Sequence, residues 1–350
     1  MPSQRAAIVE AWFRKHQRFL PWRAAYVPYH VWVSEVMLQQ TRMEVVLGYY
    51  EKFLERFPTI AALAAATDDE VMSAWSGLGY YRRARMLRDG ARDVVERFRG
   101  KVPATVDELL TIGGIGRYTA GAVASIAHKV KAPIVDGNVA RILARLFAIE
   151  APLKSPALMR EAWRYAEELV SESRNPRDFN QGLMEIGALI CKPSKPRCDE
   201  CPLTAHCLAF QQHRVDEFPR KAATEETRAM RIALYVVRDD EGLVLMRRER
   251  GKLMNAMFHL PHGDTTLLDG APLPVRDATH VGTFRHTVTN RRIEFEVFTA
   301  TITAIADSDD YAWIDTALMS GVPHPSYVKK ALALADQKSL ASSSAGLFRS

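Results

Sequence analysis

Thr111 to Asn138 reads TIGGIGRYTAGAVASIAHKVKAPIVDGN, and its reading decides the fold. Gly113-Gly114-Ile115-Gly116 is a turn whose missing Cβ atoms permit positive φ and close approach of the backbone to a partner. It runs into small residues whose spacing predicts a helix over Ala120 to His128. A helix that starts there leaves N–H groups unpaired, and those amides at the positive end of the dipole suit a phosphate, with Gly114 and Gly116 as the contact points. The second half, Ala132-Pro133-Ile134-Val135-Asp136-Gly137-Asn138, is a short apolar run that ends in a carboxylate. Asp136 is a favoured N-cap for a helix with the apolar stripe Val139, Ile142, Leu143, Leu146 and Phe147. Capping alone accounts for the residue; the same position is expected to lower its pKa and hold it anionic. The whole stretch reads as a phosphate clamp with an acid delivered beside it.

Outward from this core, 350 residues are long for one compact domain, and two are expected. No apolar run reaches membrane-spanning length and nothing at the N-terminus resembles a signal or transit peptide, so a soluble, cytoplasmic chain without a membrane partner is expected. The net charge is +6, and its distribution is uneven. Residues 1–220 carry 31 Lys and Arg against 25 Asp and Glu, whereas 221–350 carry 16 of each. A polyanion is therefore expected to bind the first part.

All four cysteines fall in one short run, Cys191, Cys198, Cys201 and Cys207, spaced C-x6-C-x2-C-x5-C. Disulfides fit poorly in so tight a run without an export signal. Four thiolates suit zinc, which stays open. Zinc sites more often come as two C-x2-C knuckles, however, and the single run with uneven gaps favours an iron–sulfur ligand set. Lys192, Lys195 and Arg197 occupy its longest gap and make a second candidate phosphate contact.

From Ala6 to about Arg220 the pattern is helical almost throughout. Leu20-Pro21-Trp22-Arg23 ends the first helix, as a core anchor or as part of a ligand pocket. In the helix predicted over Val31 to Thr41, Glu35 has Val31, Trp32, Leu38 and Gln39 as helical neighbours and so sits on an apolar face. Burial there raises a carboxyl pKa and keeps the acid protonated near neutral pH. Trp75-Ser76-Gly77-Leu78-Gly79-Tyr80-Tyr81 is a second glycine-interrupted turn followed by arginines, a pattern that suits a solvated helix face or a wedge into a base stack. Residues 211–230 read as a linker. Beyond them the period changes to strand alternation at Ile232, Leu234 and Val236 and again at Ile293, Phe295 and Val297. A helix is expected from Ser326 to Ala335, and a disordered tail over 337–350.

The glycine hairpin, Asp136 and the four-cysteine run together resemble the helix-hairpin-helix DNA glycosylases that carry a [4Fe–4S] cluster. Within that group, Leu20-Pro21-Trp22-Arg23, Ser34-Glu35-Val36-Met37-Leu38-Gln39-Gln40-Thr41, Gly77-Leu78-Gly79-Tyr80-Tyr81 and Val135-Asp136-Gly137-Asn138 are similar to the MutY-type adenine glycosylases. The resemblance implies a mainly α fold: a two-lobed helix-hairpin-helix glycosylase domain with a cluster loop over residues 1–210, then a smaller α+β Nudix-like domain over 231–336. It implies a monomeric, nucleoid-associated enzyme, if bacterial, acting on double-stranded DNA with adenine opposite 8-oxoguanine or guanine. Glu35 would be the general acid and Asp136 the anion that stabilises an oxocarbenium-like sugar, two carboxylates with opposed pKa shifts. Asn138 would orient the sugar or the water. Arg18, Trp22, Arg23, Leu38 and Gln181 would line the adenine pocket, and Gln40 and Tyr80 would fill or wedge the gap in the duplex.

Related lyases place at position 118 a lysine that forms a Schiff base; Tyr118 cannot, so a monofunctional enzyme is expected. Three departures stand out. The hairpin reads Ile112-Gly113-Gly114 where the family has Leu-Pro-Gly, which should loosen the turn without removing its amides. The second domain lacks the metal-binding helix of active Nudix hydrolases. The family's Phe-Ser-His loop, which reads 8-oxoguanine, is Phe284-Arg285-His286 here.

Overall fold

The computed structural model describes residues 4–221, 228–249, 257–262, 275–288, 291–302 and 310–346. They divide into two compact units, one made of Met1–Ala66 with Arg82–Ala223, the other of Thr67–Tyr81 with Thr224–Ser350.

The first unit is helical. Its order is α1 (Gln4–His16), α2 (Pro28–Leu38), α3 (Met43–Arg56) and α4 (Ile60–Ala65); α5 (Asp68–Ala74) belongs to the second unit, and α6 (Arg82–Phe98) returns to the first. There follow α7 (Val106–Leu110), α8 (Arg117–Ala122), α9 (Gly137–Leu146), α10 (Pro156–Ser171), α11 (Pro176–Leu189) and α12 (Leu208–Gln211). Local chemistry sets many starts. Pro28, Pro156 and Pro176 occupy first helical positions, where the missing N–H costs nothing, and Ser155, Asn175 and Asp136 cap the next turn with side-chain oxygens. Two ends differ from the sequence reading. Helix α2 stops at Leu38 rather than Thr41 because Gln40 takes φ 58°, and the helix expected over 120–128 becomes α8 followed by a π-helical turn, Val123–Ala127.

One core of this unit gathers Val139, Ile142, Leu143 and Leu146 from α9, Leu158 and Leu169 from α10, and Phe179, Leu183 and Ile186 from α11. That is the apolar stripe the sequence assigns to the helix after Asp136. The stretch expected to begin a linker at 211 instead packs into the unit as far as Arg220. Phe218 is buried, Arg145 donates to the carbonyls of Val215 and Phe218, and Arg214 and Arg220 both pair with Glu150.

The second unit is α+β. Strands β1 (Arg228–Val237), β2 (Val244–Arg248), β3 (Phe258–His259), β4 (Val275–Val288), β5 (Arg291–Ile302) and β6 (Tyr311–Ile314) form two three-stranded sheets, ordered β1-β5-β4 and β3-β2-β6. β1 runs parallel to β5 and β4 antiparallel to it. The alternating Ile232, Leu234, Val236 and Ile293, Phe295, Val297 face one core, covered by Tyr327, Val328, Ala331 and Leu332 of α13 (Ser326–Gly346). Helix α13 passes the expected end at Ala335, since no Gly or Pro interrupts 327–345. Among the described residues no helix is long and apolar enough to cross a membrane.

Candidate active site

A cavity of about 620 Å³ in the first unit gathers the residues singled out above: Arg18, Trp22, Arg23, Glu35, Leu38, Gln40, Tyr118, Asp136, Asn138 and Gln181 all line it. They come from the α1–α2 connection, α2 and the turn after it, α8, the start of α9 and α11, so a site scattered from Arg18 to Gln181 in sequence is built by helix packing.

Glu35 projects from α2 and is only 5% exposed. The Tyr118 hydroxyl donates to its Oε2 at 2.6 Å. Burial is the main force on this carboxyl and raises its pKa to about 7; the Tyr118 bond and the Arg23 charge oppose the rise, and Asp136 adds to it. At neutral pH a large share of Glu35 therefore carries a proton.

Asp136 caps α9. Its Oδ1 accepts from the Val139 amide at 2.7 Å and its Oδ2 from the Asn138 side chain at 3.1 Å. The expected lowering of its pKa is corrected: burial raises it, while the Val139 amide, the Asn138 side chain and amide and Arg141 pull the other way. Desolvation outweighs the cap, but Asp136 keeps several donors where Glu35 has one. Asn138 is held in turn by Arg141, whose Nη2 donates to Asn138 Oδ1 at 2.8 Å and to the Gly187 carbonyl, and whose Nε donates to the Cys191 carbonyl. Gly187 permits this approach, since a Cβ there would lie 2.7 Å from the Asn138 Cβ.

The same cavity holds a residue that sequence reasoning missed. Glu185 on α11 is 2% exposed and lies between Arg18 and Arg23, at 2.5 and 3.1 Å. Burial raises its pKa, but the bonds and charges of the two arginines outweigh that and bring it below the usual carboxylate range. A helical glutamate among apolar neighbours, like Glu35, was the available signal. Gln181 is itself committed: its oxygen accepts from Arg23 Nε at 3.0 Å and its amide donates to the Tyr26 hydroxyl.

The glycine hairpin precedes α8. Gly114 adopts φ 82° and packs against Met86, where a Cβ would lie 2.8 Å from that residue's own Cβ. Not every amide is free as the sequence suggested, because Gly113 N–H donates to Asp93 at 2.7 Å. No hydrogen bond from the Gly114 or Gly116 amide is found among the described residues.

The four cysteines line one small cavity together with Leu146, Ile186, Leu203 and Arg145, and none is in a disulfide. Arg145 donates to Cys191 Sγ at 3.3 Å and to the Lys192 carbonyl at 2.7 Å. Lys192 and Lys195 are exposed, whereas Arg197 is tied to Glu200 and the Leu189 carbonyl and braces the loop. Among the described residues no three His, Cys, Asp or Glu side chains converge closely enough to hold a single metal ion.

Tyr80, half exposed with φ 49°, and Phe284, Arg285 and His286 lie in the second unit. The last three sit within β4 rather than in a loop, which puts Arg285 on the opposite face from its neighbours. Phe284 and His286 pack on Phe295, and Arg285 pairs with Glu294 at 3.2 Å. In the run Leu260-Pro261-His262-Gly263 that follows β3, Leu260 and His262 are buried, and Gly263 lies outside the described residues.

Residues 33–168 match the family described as the HhH-GPD superfamily base excision DNA repair protein. The chain is 34% identical to the adenine DNA glycosylase of Rattus norvegicus, over 82% of this chain and 68% of that one. It is 35% identical to the adenine DNA glycosylase of Buchnera aphidicola (subspecies Schizaphis graminum), over 71% of each. The match to the Homo sapiens adenine DNA glycosylase is 45% identical but spans only 38% of that protein. A thermostable thymine-DNA glycosylase of known structure superposes with a TM-score of 0.53 at 28% identity, over 59% of this chain and 95% of that one. The rat and Buchnera matches extend over two thirds or more of those proteins, and the chain belongs to the adenine DNA glycosylase family.

Proposed function

We propose that this chain removes adenine mispaired with 8-oxoguanine or guanine from double-stranded DNA and leaves an abasic site. The observation that carries the reading is the buried Glu35, with its pKa near 7, sharing one cavity with Asp136. The target adenine leaves the stack, at about a few kcal/mol, and enters the cavity. Glu35 gives its proton to N7, the C1′–N9 bond breaks with its electron pair moving to the base, and Asp136 stabilises the cationic sugar until water adds at C1′ and passes its surplus proton to the Glu35 carboxylate. Asn138, oriented by Arg141, positions Asp136 and the water. Glu185, held anionic by Arg18 and Arg23, is an acceptor suited to the exocyclic amine of adenine. Tyr118 supplies no amine for a Schiff base, so borohydride should trap no covalent adduct with DNA.

The hairpin amides of Gly114 and Gly116 and the exposed Lys192 and Lys195 suit the DNA backbone, and Gln40 and Tyr80 the space vacated in the duplex. Cys191, Cys198, Cys201 and Cys207 would hold a [4Fe–4S] cluster. Thiols spread around a cavity, rather than converging on a point, fit a group with volume. Such a group would supply iron–thiolate bonds that fix the loop bearing the two lysines. Phe284, Arg285 and His286 are assigned to the base opposite adenine, and the chain to a monomer.

The test is single-turnover excision from duplexes with adenine opposite 8-oxoguanine, guanine or cytosine, by wild type and Glu35→Gln. Adenine release by the wild type from the first two, lost in the variant, is expected. No release from any duplex would sink the catalytic reading, and equal rates on all three would remove the recognition role of the second unit.

A further inference from the structure

The turn after α2 is held more tightly than a surface turn requires. Gln40 is exposed on the cavity rim and keeps φ 58°, a left-handed conformation that a residue with a side chain adopts at a cost in free energy. Both neighbours are fastened. Gln39 donates to the Thr119 hydroxyl on α8 at 3.2 Å. From α6 the buried Arg83 donates through Nη1 to the carbonyls of Val36 at 2.8 Å, Met37 at 2.9 Å and Gln39, and through Nη2 to the Thr41 hydroxyl at 2.9 Å. These are the last carbonyls of a helix, which lack intrahelical partners, and a guanidinium satisfies them while complementing the negative end of the dipole. The fork thus grips the chain on both sides of Gln40 and leaves that side chain outside.

We propose that Arg83 is a positioning residue that holds Gln40 in its left-handed, outward conformation so that its side chain enters the duplex as adenine leaves. The proposal rests on the reading of Gln40 as a group that fills the stack. A planar fork spans carbonyls and hydroxyl at once, which a lysine ammonium cannot do.

A double-mutant cycle tests it, read as single-turnover excision from an adenine·8-oxoguanine duplex and from a duplex with adenine opposite an abasic site, where no base pair has to open. Arg83→Met and Gln40→Ala should each slow the paired substrate at least tenfold, and the double variant should be no more than about threefold slower than either. On the abasic partner Arg83→Met should lose less than about threefold, a split that general damage to the fold would not produce. Wild-type rates for Arg83→Met, multiplying losses in the double variant, or equal losses on both substrates would overturn the role of Arg83. A wild-type rate for Gln40→Ala on the paired duplex would instead overturn the reading of Gln40. If Arg83→Met does not fold, Arg83→Lys carries the same comparison.

Discussion

Two buried glutamates on different helices, Glu35 of α2 and Glu185 of α11, line the cavity, and the two are brought to opposite states. Glu35 bonds one phenol, meets a second carboxylate and feels the charge of Arg23 without a bond to it, and burial still takes its pKa to about 7; Glu185 bonds two guanidinium groups directly, and its pKa falls. Burial penalises both anions. What separates them is the charge each bonds, so one offers a proton and the other an acceptor. The pair with opposed shifts is therefore Glu35 and Glu185, not Glu35 and Asp136 as the sequence suggested, since burial raises both of the latter.

The contrast breaks most visibly if Glu35 is made unable to donate. Glu35→Gln should cut single-turnover excision by about 10²–10⁴-fold, the usual worth of a general acid, while DNA binding in a filter or gel assay persists. The same substitution should help the fold at alkaline pH. A carboxyl whose folded pKa is raised contributes fully below its unfolded pKa near 4.5 and loses that contribution as pH rises through about 7. Thermal melts of wild type and variant should thus diverge from about pH 5 to 8 in the variant's favour.

Glu185→Gln should act on stability in the reverse sense. It strands Arg18 and Arg23 around a neutral amide and should cost about 3 kcal/mol in urea titrations at pH 7, in the range for breaking a buried pair. Its lowered pKa gives stability that is present above the unfolded value and lost as pH falls, so the difference from wild type should shrink in acid. A Glu185→Gln protein as stable as wild type would erase the proposed asymmetry between the two glutamates.

Smaller changes sharpen the comparison. The phenol of Tyr118 lowers the pKa of Glu35, so Tyr118→Phe should move the alkaline limb of the rate profile upward by roughly one pH unit, the worth of one hydrogen bond. A shift downward would mean that the bond favours the neutral acid. Arg285→Ala should change stability by less than about 1 kcal/mol, because its pairing with Glu294 is solvent-exposed, yet it should alter the ratio of excision rates opposite 8-oxoguanine and guanine, as a residue assigned to the opposite base requires.

Much of this was legible in the chain. Glu35 breaks the helical pattern, Asp136 reads as a cap, and the alternation at Ile232 and Ile293 marks a sheet in the sequence itself. Glu185 escaped because its partners lie more than 160 positions away, in the α1–α2 connection, and no local pattern reports the charge they supply. Arg83 escaped for the same reason: in sequence it is one of several arginines in a basic run, and its buried fork exists only once α6 meets the end of α2. The strand setting of Arg285 was hidden because a register against Glu294 is fixed by pairing, not by the residue itself.

The central claim is that a protonated Glu35 starts the reaction, and the pH dependence of single-turnover adenine excision from an adenine·8-oxoguanine duplex tests it most directly. Between pH 5 and 9 the rate should fall toward tenfold per unit above about 7, as Glu35 loses its proton. A rate that stays constant to pH 9 would contradict the claim.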